Sequence, residues 1–328
     1  MKPLSTATEI RARPVTNCYL CGARGGHLYD GLSDRLYNAP GTWSFNRCSN
    51  PGCGLVWLDP MPLEEDLPLA YRDYFTHKDK AVGQRGIGRI IMHSVYRALL
   101  WGTGLAHQRA KLRSLYLRGT PPGRLLEVGC GDGSQLAGLR AMGWEVEGQE
   151  VDTAAAERAR AQYGLRVHLG TLQEAGLPDA VFDVVAMSHV IEHVRDPVAL
   201  LKECHRILKP GGVLIAVTSN INSLGHQRFR MDWLPLDPPR HLHLFSPTTL
   251  QQVAVLATFA EQECWTTAAS AQFIAEASWD IKRTGRHKIG VRPGFGLGIQ
   301  TLLFQFRAMA VHAVRKDSGE ECVLKAVK

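Results

Sequence analysis

Three groups of residues have the types and spacing to do chemistry. Cys18, Cys21, Cys48 and Cys53 form a C-x2-C pair, a gap and a C-x4-C pair. Two close thiolate pairs can close a tetrahedral zinc site, each short loop bringing its own pair onto one ion. Ser-Asn-Pro-Gly separates the second pair, and a Pro-Gly turn can take up that extra length. His27 is an alternative ligand. A closed ion of this kind would be structural, stabilising a piece too small to bury a core of its own. Cys130, Cys204, Cys264 and Cys322 lack partner spacing and read as core or surface residues.

The second group is "LLEVGCGDGSQL", which puts Gly129, Gly131 and Gly133 directly after a buried strand. Without a Cβ the backbone there can turn sharply and approach a ligand. A glycine-rich turn of this sort is weak evidence alone, because dinucleotide-binding chains use one too. The spacing here is G-x-G-x-G rather than G-x-G-x-x-G, and Glu127 stands at the strand end. A carboxylate at that place suits a cationic or amine-bearing ligand and would repel a pyrophosphate. Glu150 follows about 20 residues later, at the end of the next strand, where such sheets place the acid that accepts both ribose hydroxyls. Gln149 and Asp152 are neighbouring alternatives.

Histidines form the third group. His189 and His193 flank the end of a strand in "SHVIEHV", with Glu192 between them. The pattern H-x-x-E-H crosses a strand–loop junction, unlike the helical H-E-x-x-H of metalloproteases, so a metal reading is set aside there. Further on, "LDPPRHLHLFS" holds His241 and His243. If that segment is extended, both imidazoles share one face and Leu242 and Leu244 the other. Either the segment is a packed lid, or one of these histidines acts as base or substrate hydrogen-bonder. Metal ranks last, because no further ligand is evident. Trp233, Asp237 and Arg240 are assigned to the same cavity, Arg240 meeting an anionic group of a substrate or simply Asp237.

Positioning these groups takes strands alternating with helices. "RLLEVGC", "EVEGQEV", "RVHLG", "FDVVAMSHV" and "GGVLIAVTS" read as strands, separated by helical stretches that end at Gly143, at Gly164 and at Pro210 with two glycines. That rhythm implies crossover units and a parallel sheet covered on both faces, with ligands at the carboxyl ends of its strands. The expected fold class is α/β, a doubly wound, mostly parallel sheet with a small N-terminal zinc-ribbon-like module and helical insertions. The divisions are residues 1–75 for the module, 76–120 for a helical linker, 121–270 for the core and 271–328 for a C-terminal helix and strand. Apolar residues at helical spacing from Ile87 to Leu115 define the linker. Residues 285–314 form a basic glycine-rich loop and an amphipathic helix, expected to pack on the core, with a lid, a dimer surface or a membrane-surface element as alternatives. "EECVLKAVK" would be a last strand.

The 328 residues are 45% hydrophobic and 21% charged, ordinary values for a globular chain. Neither a secretory leader nor an apolar run long enough for a spanning helix is read, so the cytoplasm and reduced thiols are expected. A net charge of +7 divides into an acidic middle, residues 121–270, and two basic flanks. Basic flanks can meet nucleic acid, an anionic membrane or a phosphorylated substrate, or simply be solvated.

Together the motifs resemble those of the class I S-adenosylmethionine-dependent methyltransferases. "EVGCGDG" is similar to their first motif and "VEGQEVD" to the second. "LPDAVFDVVAMSHVIEHVRDP" corresponds to the stretch through the fourth strand, and "ILKPGG" to the turn before the fifth. The resemblance implies a Rossmann-like methyltransferase fold. It places Glu127 and the loop of Gly129, Cys130, Gly131, Asp132 and Gly133 near the methionine moiety. Glu150 with Val151 would hold the ribose, Thr171 and Leu172 would lie beside the adenine, and His189 would line the same site. The family often has an acid where Thr171 stands; backbone groups would serve here. Small-molecule and sugar methyltransferases resemble the whole layout, with a cysteine module, "CGLVWLDP"-like text and then the core. The implied function is methyl transfer to a small biosynthetic metabolite, a sugar or glycoconjugate precursor, at oxygen or carbon, with His189, His241 and His243 as catalytic candidates and Trp233 and Arg240 on the substrate. Some ribosomal RNA methyltransferases also carry a zinc ribbon, so RNA is the rival acceptor. A non-catalytic binding or scaffold protein is the second alternative, and a homo-oligomer is compatible with all three.

Overall fold

The structure, a computed structural model, describes residues 9–72, 100–291 and 294–328. Most of the linker helix expected from Ile87, up to residue 99, lies outside them; the helix Leu105–Arg113 is its described end. Five short strands come first: β1 (Ala12–Arg13), β2 (Gly25–Leu32), β3 (Trp43–Cys48), β4 (Val56–Leu58) and β5 (Met61–Pro62). Next come β6 (Arg124–Val128), β7 (Glu145–Glu150), β8 (Arg166–Leu169), β9 (Phe182–Ser188) and β10 (Leu208–Ser219). The last three are β11 (His243–Leu244), β12 (Glu261–Thr267) and β13 (Glu321–Val327).

A seven-stranded sheet in the order β12-β13-β10-β9-β6-β7-β8 forms the centre. Strands β6 to β10 pair in parallel, whereas β13 runs antiparallel to both its neighbours. Apolar runs such as Val184–Met187 and Leu214–Val217 are buried on both faces, as parallel strands beneath crossover helices must be. The helices stop and start where their caps dictate. Asp152 accepts the Ala154 and Ala155 amides at the start of Thr153–Tyr163, and Gly164, at φ 60°, ends it. Ser246 and Thr249 form a reciprocal capping box before Pro247–Leu256. The chain order reverses between β6 and β9, so a cleft opens at the carboxyl ends of these strands.

"EECVLKAVK" does form a strand, but an interior one: β13 lies between β10 and β12, with Cys322, Val323, Leu324 and Ala326 fully buried. The helix Phe295–Val314 puts Phe304 and Ala308 into a second core with Ile274, Ala275, Trp233 and Leu236. Among the described residues, no helix is long and apolar enough to cross a membrane.

The histidine segment departs from expectation. A second, antiparallel sheet runs β11-β4-β3-β2, and β11 pairs His243 with Trp57 and Leu244 with Val56. Three strands of the N-terminal module therefore take their fourth from the far side of the core. Trp233 and Arg240, assigned to a substrate cavity from sequence, are both in the interior. Trp233 is 1% exposed and packs on His226, in the second core. Arg240 is 0% exposed, and all five of its N–H donors are used. Nε donates to Asp237 Oδ2 at 3.0 Å, Nη1 to Asp34 Oδ2 and the Ala70 carbonyl, and Nη2 to Asp34 Oδ1 and Asp237 Oδ1. Burial opposes ionisation of Asp34, but Arg240 and the Tyr37 and Ala39 amides outweigh it and hold the carboxyl below its usual range.

Breaking such a pair leaves a buried charge uncompensated. Arg240→Met should cost about 3–5 kcal/mol in urea unfolding, and pairing it with Asp34→Asn should recover part of that loss.

Candidate active site

Glu127 ends β6, and the glycine loop follows it. Gly129, Gly131 and Gly133 all adopt the left-handed region, at φ 66°, 55° and 75°. A Cβ on Gly129 would lie 2.5 Å from Val190, and one on Gly133 2.6 Å from Leu165. Over Gly131, by contrast, nothing among the described residues stands within 4 Å. Two glycines thus permit close packing, and the third leaves an open cradle. Cys130 sends its side chain the other way, into the core under Gly148. What the loop presents at this position is the backbone.

Glu150 ends β7 and closes on the same loop. Its Oε2 accepts the Gly131 amide at 2.8 Å, and Oε1 accepts those of Val151 and Asp152 at 2.8 and 2.9 Å. Val151 is exposed. Gln149, which sequence reasoning offered only as an alternative, accepts the Gly129 amide and donates to the Gly170 carbonyl. It thereby ties the glycine loop to the turn after β8. In that turn Leu172 is buried in the core, so its side chain is turned away from the cleft. Thr171 is held by Glu174, whose Oε2 accepts its amide and hydroxyl at 2.7 and 2.9 Å. Where the family often has an acid at this point, Glu174 brings one from three residues on. Asp132 accepts the Ser134 amide at the start of the following helix.

Glu127 is 2% exposed, and its Oε2 meets no partner among the described residues. Burial, then the Glu150 and Asp132 carboxylates, push its pKa up to about 8. The protonated form is therefore favoured near neutrality unless a cation arrives.

The histidines divide sharply. His189, at φ 54°, sits with Nδ1 3.1 Å from Glu192 Oε1 and Nε2 3.1 Å from Glu321 Oε1. Burial opposes its charge, but these carboxylates dominate and raise its pKa to about 10. With both ring nitrogens facing carboxylates the protonated form is favoured, which opposes a role as base. His243 is 1% exposed, bonded through Nδ1 to the Val194 carbonyl and packed on Tyr19. Burial lowers its pKa to about 4; it is a neutral packing residue of β11. His241 and His243 do not share a cavity, because the chain turns through Asp237–His241 before β11 begins.

His241 instead meets His193, with ring centroids 4.7 Å apart. One nitrogen from each ring and one Glu192 oxygen lie mutually within 4.8 Å. Tyr71 completes the group, its hydroxyl 3.0 Å from His193 Nδ1. Burial raises the Tyr71 pKa, and Asp237, Glu192 and Glu150 add to the effect. That phenol is thus within electrostatic reach of both the histidine cluster and Glu150 in the cleft. Tyr71 escaped sequence reasoning, and the grouping of Glu192 and His193 with His241 did too, because the three segments share no common spacing.

At the N-terminus, Cys18, Cys21, Cys48 and Cys53 place their sulfurs within 4.8 Å of one another. The Cys18–Cys53 and Cys21–Cys48 separations are 3.7 and 3.4 Å. Four sulfurs about 2.3 Å from one ion would stand about 3.8 Å apart, so the set fits a tetrahedral site. His27 turns away to Asp30 and Asn46.

A carboxyl with a raised pKa favours folding below its unfolded value and loses that contribution as pH climbs to the folded one. Between pH 4.5 and 8 the wild type should therefore lose stability relative to Glu127→Gln, as read by urea unfolding at each pH.

Residues 104–260 match the family model described as a methyltransferase domain. A Mycolicibacterium smegmatis protein named as a probable S-adenosylmethionine-dependent methyltransferase is 39% identical over 97 residues, covering 29% of this chain and 38% of its own. The ubiquinone biosynthesis O-methyltransferase of Parvibaculum lavamentivorans is 30% identical over 123 residues, 34% of this chain and 49% of that one. The malonyl-[acyl-carrier protein] O-methyltransferase of Serratia marcescens is 31% identical over 147 residues, with 44% and 57% covered. The chain spans about half the length of the curated relatives it matches. The matched residues 104–260 carry the glycine loop, its two carboxylates and the histidine segment, and so coincide with a methyltransferase domain.

Proposed function

We propose that this protein transfers a methyl group from S-adenosylmethionine to a hydroxyl oxygen of a small biosynthetic metabolite. A sugar or glycoconjugate precursor is the acceptor class that the cysteine-module layout favours. The observation that carries the reading is the cleft over β6 and β7, with open space at Gly131 and Glu127 and Glu150 at its edges.

S-adenosylmethionine would supply a sulfonium methyl group, already a strong electrophile. Glu150 would hold the ribose through Oε2, where about one lone-pair site remains beside the Gly131 amide. Glu127 would face positive charge, which favours its ionised form and offsets the cost of burying it. Backbone groups around Thr171 and Leu172 would receive the adenine. Two of the named relatives are O-methyltransferases, which supports oxygen as the acceptor atom.

The acceptor hydroxyl would be set down at Glu192, His193 and His241. Pro235 holds His241 Nδ1 at 2.7 Å; a carbonyl only accepts, so Nδ1 carries the proton and Nε2 keeps its lone pair. Help with the hydroxyl proton is worth typically ~10²–10⁴-fold, and alignment of the reacting atoms supplies much of the rest.

Calorimetry with S-adenosylhomocysteine should show binding that Glu150→Ala weakens strongly; unchanged affinity would refute the ribose assignment. His241→Ala should keep that binding yet lose roughly 10²-fold in methyl transfer to hydroxylated acceptors, followed with a labelled donor.

The cysteine cluster would hold a structural zinc. Backbone amides already point at these sulfurs, from Leu20 and Cys21 to Cys18, from Ala23 to Cys21 and from Leu55 to Cys53. The Ala23 amide is the largest influence lowering the Cys21 pKa, to about 7, which eases formation of a thiolate ligand. Metal analysis should find one thiolate-bound zinc per chain, absent from a Cys18→Ser, Cys21→Ser variant.

A further inference from the structure

We propose that Glu192, His193 and His241 form a second metal site, holding a divalent first-row transition ion beside the methyl-transfer cleft. Two imidazoles and one carboxylate converge there, one donor atom from each lying within 4.8 Å of the others. They come from two segments locked together. Leu242 donates its amide to the Glu192 carbonyl at 2.8 Å, and His193 Nδ1 lies 3.1 Å from the Arg240 carbonyl.

Each donor is turned inward by its other bond. The Pro235 and Arg240 carbonyls can only accept, so Nδ1 of His241 and of His193 donate to them, and the Tyr71 hydroxyl, 3.0 Å from the same His193 nitrogen, is an acceptor there. In the neutral rings Nε2 then keeps the lone pair. A metal-binding histidine commonly has this backbone partner on its second nitrogen, which fixes tautomer and ring direction. Glu192 is 1% exposed; Oε1 meets His189, and Oε2 has no partner among the described residues. A buried carboxylate oxygen without a donor is costly. A cation at this point would satisfy it.

The donor set selects the class of ion. Calcium and magnesium prefer all-oxygen shells, while imidazole nitrogen with a carboxylate suits zinc, manganese, iron or cobalt. Three protein ligands leave positions open for an incoming oxygen. The spacing of His189, Glu192 and His193 gave no such site, because His189 faces Glu321 and His241 comes from the turn before β11.

The site deepens the methyl-transfer reading and rests on it for its role. With the ion bound, His241 Nε2 is a ligand and no longer the base, and an acceptor hydroxyl bound to the ion is acidified and releases its proton to solvent. The resulting oxygen anion bonds to the methyl carbon as the carbon–sulfur bond breaks. The products are a methyl ether and S-adenosylhomocysteine.

Manganese(II) is the probe, since thiolates bind it poorly and the cysteine cluster should not compete. Titrating the full chain as purified, with unbound manganese followed by electron paramagnetic resonance, should give one bound ion per chain. Binding should weaken at least about tenfold in Glu192→Gln and in His241→Gln, and persist in Cys18→Ser. Equal binding by the wild type and both variants overturns the site, as does a wild type that takes up neither manganese nor any zinc beyond the cysteine-bound ion. Circular dichroism melting checks the fold, and the isosteric Glu192→Gln decides if His241→Gln does not fold. Calorimetry with S-adenosylhomocysteine separates the two readings. Lost nucleoside binding with metal retained sinks the methyltransferase reading alone, and the converse sinks the metal site alone.

Discussion

A guanidinium buried out of reach of water must find five acceptors, and Arg240 finds them on three separate stretches of chain. Asp34 belongs to the N-terminal module, Ala70 to the helix Leu67–Tyr71, and Asp237 to the turn before β11. Few conformations satisfy all five at once. The network therefore acts as a registration device, specifying where the histidine segment sits more than adding net stability, since the cost of desolvating the ions offsets much of their attraction. Once Arg240 is seated, its carbonyl is presented to His193 and its neighbour His241 is swung toward Glu192.

That placement explains why the N-terminal module and the core share one interior. Cys18, Cys48 and Cys53 pack in the same apolar cluster as Leu126, Leu201, Phe245 and Leu250. The module's sheet is completed by β11, and its helix Leu67–Tyr71 brings Tyr71 to His193. A metal ion in the cysteine cluster would thus brace the wall that carries Tyr71 and β11. Structural and chemical roles meet in a few residues, because the same short strand is both a sheet edge and the continuation of the histidine turn.

The cleft's electrostatics follow a comparable logic. Glu127 and Glu150 stand at adjacent strand ends, and burial pushes both pKa values up, with different compensation. Glu150 is stabilised by three amides from its own turn and the glycine loop. Glu127 has no such support at Oε2 and is held toward its neutral form. A cationic ligand would reverse that preference, so the empty-cleft state is poised for positive charge. His189 is the opposite case, an imidazole between Glu192 and Glu321 whose charged form those carboxylates favour.

What the sequence alone determined was everything governed by local rules. Crossover periodicity defined the parallel strands, glycine spacing the βα turn, strand-end position the two carboxylates, and paired cysteines their own cluster, because each depends on neighbours a few residues away. The roles of Trp233, Arg240, His189 and His243 were not legible in that way. Type and position in the chain suggested contact with substrate or protons, yet their actual partners, Asp34, Glu321, Val194 and the second core, are remote in sequence. Tertiary structure alone decided that His241 faces His193 and Glu192 while His243, two residues on, becomes a buried strand residue. The physical reason is that a buried side chain must satisfy its hydrogen-bonding groups wherever packing leaves partners, and those partners are set by how separate segments meet.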